Sequence, residues 1–135
     1  MISSKGCELD GGNTIDLCGL TSPEEIFNLH PKIRWAAFSS EGGKLAFAQM
    51  RPGLVSYTPE KEDRAFMEFG PQLMTGIAER LSPTGGAGRV ESLVVNLEKD
   101  SVLLTQVRGG YLALSADRAE APEVFKAVEP LIRRL

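Results

Sequence analysis

The chain is poor in the residues that most often do chemistry. One histidine, His30, and two cysteines, Cys7 and Cys18, are spread through 135 residues, and no Gly-x-Ser-x-Gly elbow is present. Triad and general-base mechanisms therefore have no visible cast. Both cysteines fall in the first 20 residues, too few for a disulfide scaffold. No apolar run approaches the roughly 20 residues needed to cross a bilayer, and Met1 to Leu20 has neither a basic start before an apolar block nor a cleavage pattern. These features lead to the expectation of a cytoplasmic protein without membrane insertion. Fifteen basic and eighteen acidic residues are interspersed, for a net charge of -3. The clustered basic stripe of a nucleic-acid binder is missing.

What is present is an ordinary globular mixture, 42% hydrophobic and 24% charged, in a length that suits one domain. The first 20 residues read as an N-terminal extension. Asp10-Gly11-Gly12-Asn13 is a turn signal across which Cys7–Asp10 and Thr14–Leu17 could pair as a small hairpin; a loose extension is the alternative reading. The domain itself is expected over residues 21–135.

At Ser22 the pattern changes. Ser22 can cap a helix, Pro23 suits its first position and Glu25 stands where a capping-box carboxylate returns to the cap amide. A short helix follows, ending near His30 because Pro31 disfavours helix before it. Trp35–Phe38 and Leu45–Ala48 flank Ser39-Ser40-Glu41-Gly42-Gly43, the signature of a β-hairpin. Trp35 and Ala37 point one way, Arg34, Ala36 and Phe38 the other, and both sets are largely apolar. The hairpin is therefore expected inside a sheet covered on both faces.

Thr58-Pro59-Glu60 then caps and opens the longest helix. Phe66, Phe69, Leu73, Ile77 and Leu81 form one apolar row along it, and Met67, Gly70, Met74 and Ala78 form the next. So wide a stripe implies two partners, its own sheet and another subunit. Pro71 should kink or split this helix. After the glycine-rich loop at 82–88, three strands are expected at Val90–Leu97, Val102–Val107 and Tyr111–Ser115. A final helix opens at Pro122, its last turns shortened or bent by Pro130. The order α-β-β-α-β-β-β-α specifies an α+β fold, a five-stranded antiparallel sheet with helices on both faces.

That order, carried by WAAFSSEGGKLAFA, the long helix, VESLVVNLEKDSVLLTQVRGGYLALSAD and VFKAVEPLIRRL, resembles the roadblock/LC7 (dynein light chain type) domain from about Thr21 to Leu135. HPKIRWAAFSSEGGKLAFAQMRPG and FMEFGPQLM are also similar to a group of small uncharacterised archaeal proteins. Roadblock domains usually have a longer first helix and an unbroken second one. Longin, profilin and PAS-like domains share similar blocks. The roadblock resemblance implies a non-enzymatic homodimer, a scaffold or regulator whose partner is a small Ras-like GTPase. The alternative is a small-molecule-sensing module of PAS or profilin type.

Residue by residue, the bland readings prevail at most positions. Cys7, Cys18 and His30 lie about eleven residues apart, against the two-to-four-residue pairs of structural zinc sites; no metal and no cofactor is expected. His30, beside Pro31, reads as a turn residue. Gly85-Gly86-Ala87-Gly88 lacks the Lys-Ser/Thr and the following helix of a phosphate loop. A cysteine nucleophile at Cys7 or Cys18 would need an activating base that the sequence does not show. Trp35 reads as core. The group with a functional reading is on the long helix: Phe66, Met67, Phe69, Leu73, Met74 and Ile77 form a candidate interface.

Overall fold

The structure, a computed structural model, describes residues 22–133. The extension with Cys7 and Cys18, Thr21, and the terminal Arg134 and Leu135 lie outside the described residues. Three helices, α1 (Pro23–Phe27), α2 (Glu60–Leu81) and α3 (Ala121–Ile132), accompany strands β1 (Trp35–Ser40), β2 (Leu45–Met50), β3 (Ser92–Asn96), β4 (Asp100–Val107) and β5 (Gly110–Asp117). The strands form one antiparallel sheet in the order β2-β1-β5-β4-β3.

Local chemistry explains the starts and stops. The Ser22 amide donates to Glu25 Oε1 at 3.1 Å, one half of a capping box, with Pro23 in the first turn. Gly43, at φ +88°, lets the β1–β2 turn reverse, and a bulge follows Phe38. Helix α2 begins differently from the sequence expectation. Pro59 occupies the cap position without a side-chain bond, and the Thr58 hydroxyl donates instead to Asp63 Oδ1 at 2.8 Å.

Pro71 does not split α2, which continues for 22 residues as one helix. The clash that disfavours helix before a proline is partly with the preceding Cβ, and the preceding residue is Gly70. The same missing Cβ lets the helix lie against the sheet: one built on Gly70 would stand 2.6 Å from Leu104 Cδ2. Pro130 likewise lies within α3, which runs on to Ile132.

Two apolar clusters sandwich the sheet. Ala36, Phe38, Leu103, Leu112, Leu114 and Ala116 pack on one face with Ile26 and Phe27 of α1 and Val124, Val128 and Ile132 of α3. Trp35, Ala37, Leu104 and Ala113 pack on the other with Met67 and Met74 of α2. The alternation read along the first hairpin arm is thus the division between the two layers. The hairpin as a whole is not interior: β1 is flanked on both sides, but β2 is an edge strand. Its partly exposed apolar residues reflect a short strand beside a buried one, a distinction that apolar content alone does not reveal.

Candidate interaction surfaces

Helix α2 presents two faces, and the six candidate residues divide between them. Met67 and Met74, each 3% exposed, are fixed against the sheet with Gly70. Phe69 is 58% exposed and Leu81 79% exposed; Phe66, Leu73 and Ile77 are half-buried. An apolar ridge from Phe69 to Leu81 is therefore left open along α2, whereas Phe66 packs against the cluster beneath the helix. A fully exposed phenylalanine forgoes about 1.5–3 kcal/mol of burial, so such a ridge is a docking face in the making.

The strand at the far edge, β3, pairs only with β4. Its side chains alternate: Leu93 packs with the cluster beneath α2, whereas Val94, 47% exposed, looks onto the opposite face. There a groove of about 650 Å³ runs along α3. Val94, Leu103 and Val107 from the sheet and Phe125 and Ile132 from the helix give it an apolar lining. Arg89, Lys126 and Arg133 stand among its charged residues, with Glu41, Glu91 and Glu129. It lies beside α3, which packs over β4 and β5.

A polar cluster closes the end of the sheet near the start of α2. The Tyr57 hydroxyl donates to Asp117 Oδ1 at 2.8 Å, and the Arg34 guanidinium lies 4.4 Å from the Tyr57 ring centroid while donating to the Val55 carbonyl. Lys99 approaches the same ring at 5.7 Å. The hydrogen bond to Asp117 pushes the Tyr57 phenol up from its ordinary 10.0. Burial pushes the carboxyls of Asp63 and Asp100 up from 3.8; the Thr58 hydroxyl partly offsets this at Asp63, and Arg34 does so at Asp100. Arg34, Tyr57, Thr58, Asp63 and Asp100 line a cavity of about 210 Å³ with Trp35, Met50 and Phe66.

A second polar device went unread in the sequence. Arg51 donates through Nε to the Ile33 carbonyl (2.7 Å) and through Nη2 to those of Phe27 (2.9 Å) and His30 (2.8 Å), its guanidinium 5.0 Å from the Phe27 ring centroid. It thereby satisfies carbonyls at the open end of α1. His30 is part of the same turn, its Nδ1 accepting the Lys32 amide at 3.1 Å, so its role is structural. Trp35, 5% exposed, is core. Among the described residues no group of three or more His, Cys, Asp or Glu side chains is placed to hold a metal, and no helix is long and apolar enough to cross a membrane.

The fold is similar to that of known structures. A structure of MglB with a tetrameric arrangement aligns over 82% of this chain and 82% of its own, with 16% identity and a TM-score of 0.57. The gliding protein MglB from Thermus thermophilus aligns over 83% of this chain and 86% of its own, with 12% identity and a TM-score of 0.54. The chain has the roadblock/LC7 fold. A roadblock/LC7 domain from Streptomyces avermitilis also aligns, over 77% of this chain and 91% of its own, at 16% identity and a TM-score of 0.48. No protein-family model and no curated protein matches the sequence. The likeness is thus one of fold.

Proposed function

We propose that the protein is a non-enzymatic homodimeric regulator, a scaffold whose protomers meet along the outer ridge of α2 and whose partner is a small Ras-like GTPase. The observation that carries the self-association is the ridge itself: Phe69 and Leu81 exposed, with Leu73 and Ile77 half-buried between them. Aromatic and large aliphatic side chains on an unbroken helix of 22 residues offer a continuous seam, and interface cores are enriched in such residues. The tetrameric arrangement of an MglB with this fold is consistent with self-association. The GTPase partner rests on the roadblock resemblance.

Light scattering behind size exclusion tests the seam. The protein is expected at about twice 14.6 kDa over a range of concentrations, and Phe69→Glu at 14.6 kDa with an unchanged circular dichroism spectrum. A wild-type monomer at every concentration would remove the dimer, and a Phe69→Glu dimer would move the seam elsewhere. The GTPase is tested separately, by whether the dimer alters nucleotide hydrolysis or exchange by Ras-like GTPases encoded in the same genome.

A further inference from the structure

We propose that the cavity at the start of α2 binds a small organic cation, a short alkylammonium ion. The floor of this cavity is fixed by strand register. Met50, Trp35, Ser115 and Val102 are successive cross-strand partners on β2, β1, β5 and β4, so their side chains stand in one row on the face that α2 covers. Two residues before Val102, Asp100 continues the same face of β4, paired with Asp117 of β5. The first turns of α2 bring Glu62, Asp63 and Phe66 to the same cavity.

Three properties of this space select the occupant. The first is charge. Glu62, Asp63 and Asp100 line it, and Arg34 is the one cation among the described residues that do. Arg34 is already engaged: its guanidinium pairs with Asp117 at 3.6 Å, donates to the Val55 carbonyl at 2.9 Å and covers the Tyr57 ring. Asp63 accepts a hydrogen bond from Thr58, whereas the Asp100 carboxylate makes no ion pair with a described residue. Lys99 approaches the Tyr57 ring but does not line the cavity. Burial leaves the Asp63 and Asp100 carboxylates incompletely solvated, a deficit that a bound cation offsets.

The second is a hydroxyl. Ser115 is 4% exposed and lines the cavity, yet its Oγ makes no hydrogen bond with a described residue. Buried polar groups are rarely left so, and an N–H donor in the cavity supplies the partner. The third is size and lining. About 210 Å³ is room for about seven waters at about 30 Å³ each, and it falls short of the roughly 300–1,000 Å³ of sites for drug-sized ligands. A nucleotide is too large. Trp35, Phe66 and Val102 give the cavity an apolar side, which suits an alkyl chain and the aromatic contacts of an organic cation. Nor are three His, Cys, Asp or Glu side chains placed here to hold a metal ion. An alkylammonium ion matches all three properties, with N–H donors for Asp100 and Ser115 and hydrocarbon for the rings.

Trp35 is the chain's only tryptophan and lines the site, so its fluorescence reports occupancy. n-Butylammonium chloride is titrated into the full chain at neutral pH, against sodium chloride at the same concentrations and against n-butanol. The expected result is a saturable fluorescence change with the ammonium salt alone, together with a rise in melting temperature. Asp100→Asn and Asp63→Asn, which keep side-chain shape, should each weaken the apparent affinity about ten-fold or more with an unchanged circular dichroism spectrum. A response no larger than that to sodium chloride overturns the proposal. An equal response to n-butanol overturns recognition of a cation, and a response unchanged in both variants overturns this site. None of the lining residues belongs to the open ridge of α2, so the dimer and the ligand can fail independently.

Discussion

Arg51 shows how much one side chain can hold in this fold. Its three carbonyl partners belong to α1 and to the turn leading into β1, elements that precede it by 18 to 24 residues. Charge-assisted bonds contribute more than neutral ones, and truncation removes the Arg51 donors from the part-buried Phe27 and Ile33 carbonyls and leaves the His30 carbonyl with the Ile33 amide alone. Arg51→Ala is expected to destabilise the protein by about 3 kcal/mol, read as a fall in the urea midpoint with an unchanged slope. Asp100 acts in the opposite direction. Burial raises its carboxyl pKa above the 3.8 of the unfolded chain, so the native state takes up this proton first. Stability from this group is therefore lowest when it is charged at neutral pH; it rises as pH falls through the raised native value, and the gain is complete below 3.8. Asp100→Asn should raise the melting temperature at pH 7 and leave it nearly unchanged at pH 3, so that a parallel shift at both pH values would contradict this origin. Neither role was legible in the sequence. Arg51 stands in a Pro-Gly turn signal, and its acceptors are backbone atoms that any residue type would provide.

At the scale of the element, α2 is where sequence and structure diverge most instructively. Its length and its two apolar rows were readable from three-and-four spacing, but the row facing the sheet was not, since both carry large apolar residues. What decides the matter is Gly70: the row without a side chain at the point of closest approach can pack nearest to Leu104. Gly70→Ala would gain helix propensity of up to about 1 kcal/mol but must displace Leu104, which is fully buried, at a cost of about 1–3 kcal/mol. A net loss of stability is expected, and an equilibrium unfolding curve shifted to higher denaturant would refute the close approach. Pro71→Ala lacks this penalty. Proline inside a helix is about 3 kcal/mol worse than alanine, so this variant should be the more stable one. The hairpin and the three-strand meander were readable because each is local, bounded by glycine turns. The edge position of β2 depends on β1 pairing with a distant strand, and the groove depends on the lane that α3 takes; no local pattern encodes either.

For the whole molecule, the proposed dimer makes stability a function of concentration. A partner that binds the native state alone raises the midpoint by mass action, so the melting temperature of the wild type should climb with protein concentration. That of Phe69→Glu should stay flat, and a flat wild-type response would disconnect the exposed ridge from self-association.

The sheet order has a kinetic consequence as well. Two of its parts, the β1–β2 hairpin and the β3–β4–β5 meander, pair neighbours along the chain, and local pairings of this kind close fast. They are joined by a single ladder, β1 with β5, whose partners such as Trp35 and Ser115 or Ser40 and Gly110 lie roughly 70 to 80 residues apart. Closing that span costs chain entropy before any of its contacts can repay it. The refolding barrier should therefore sit at this one seam between two preformed halves, with α2, the segment that links them, arriving as the tether.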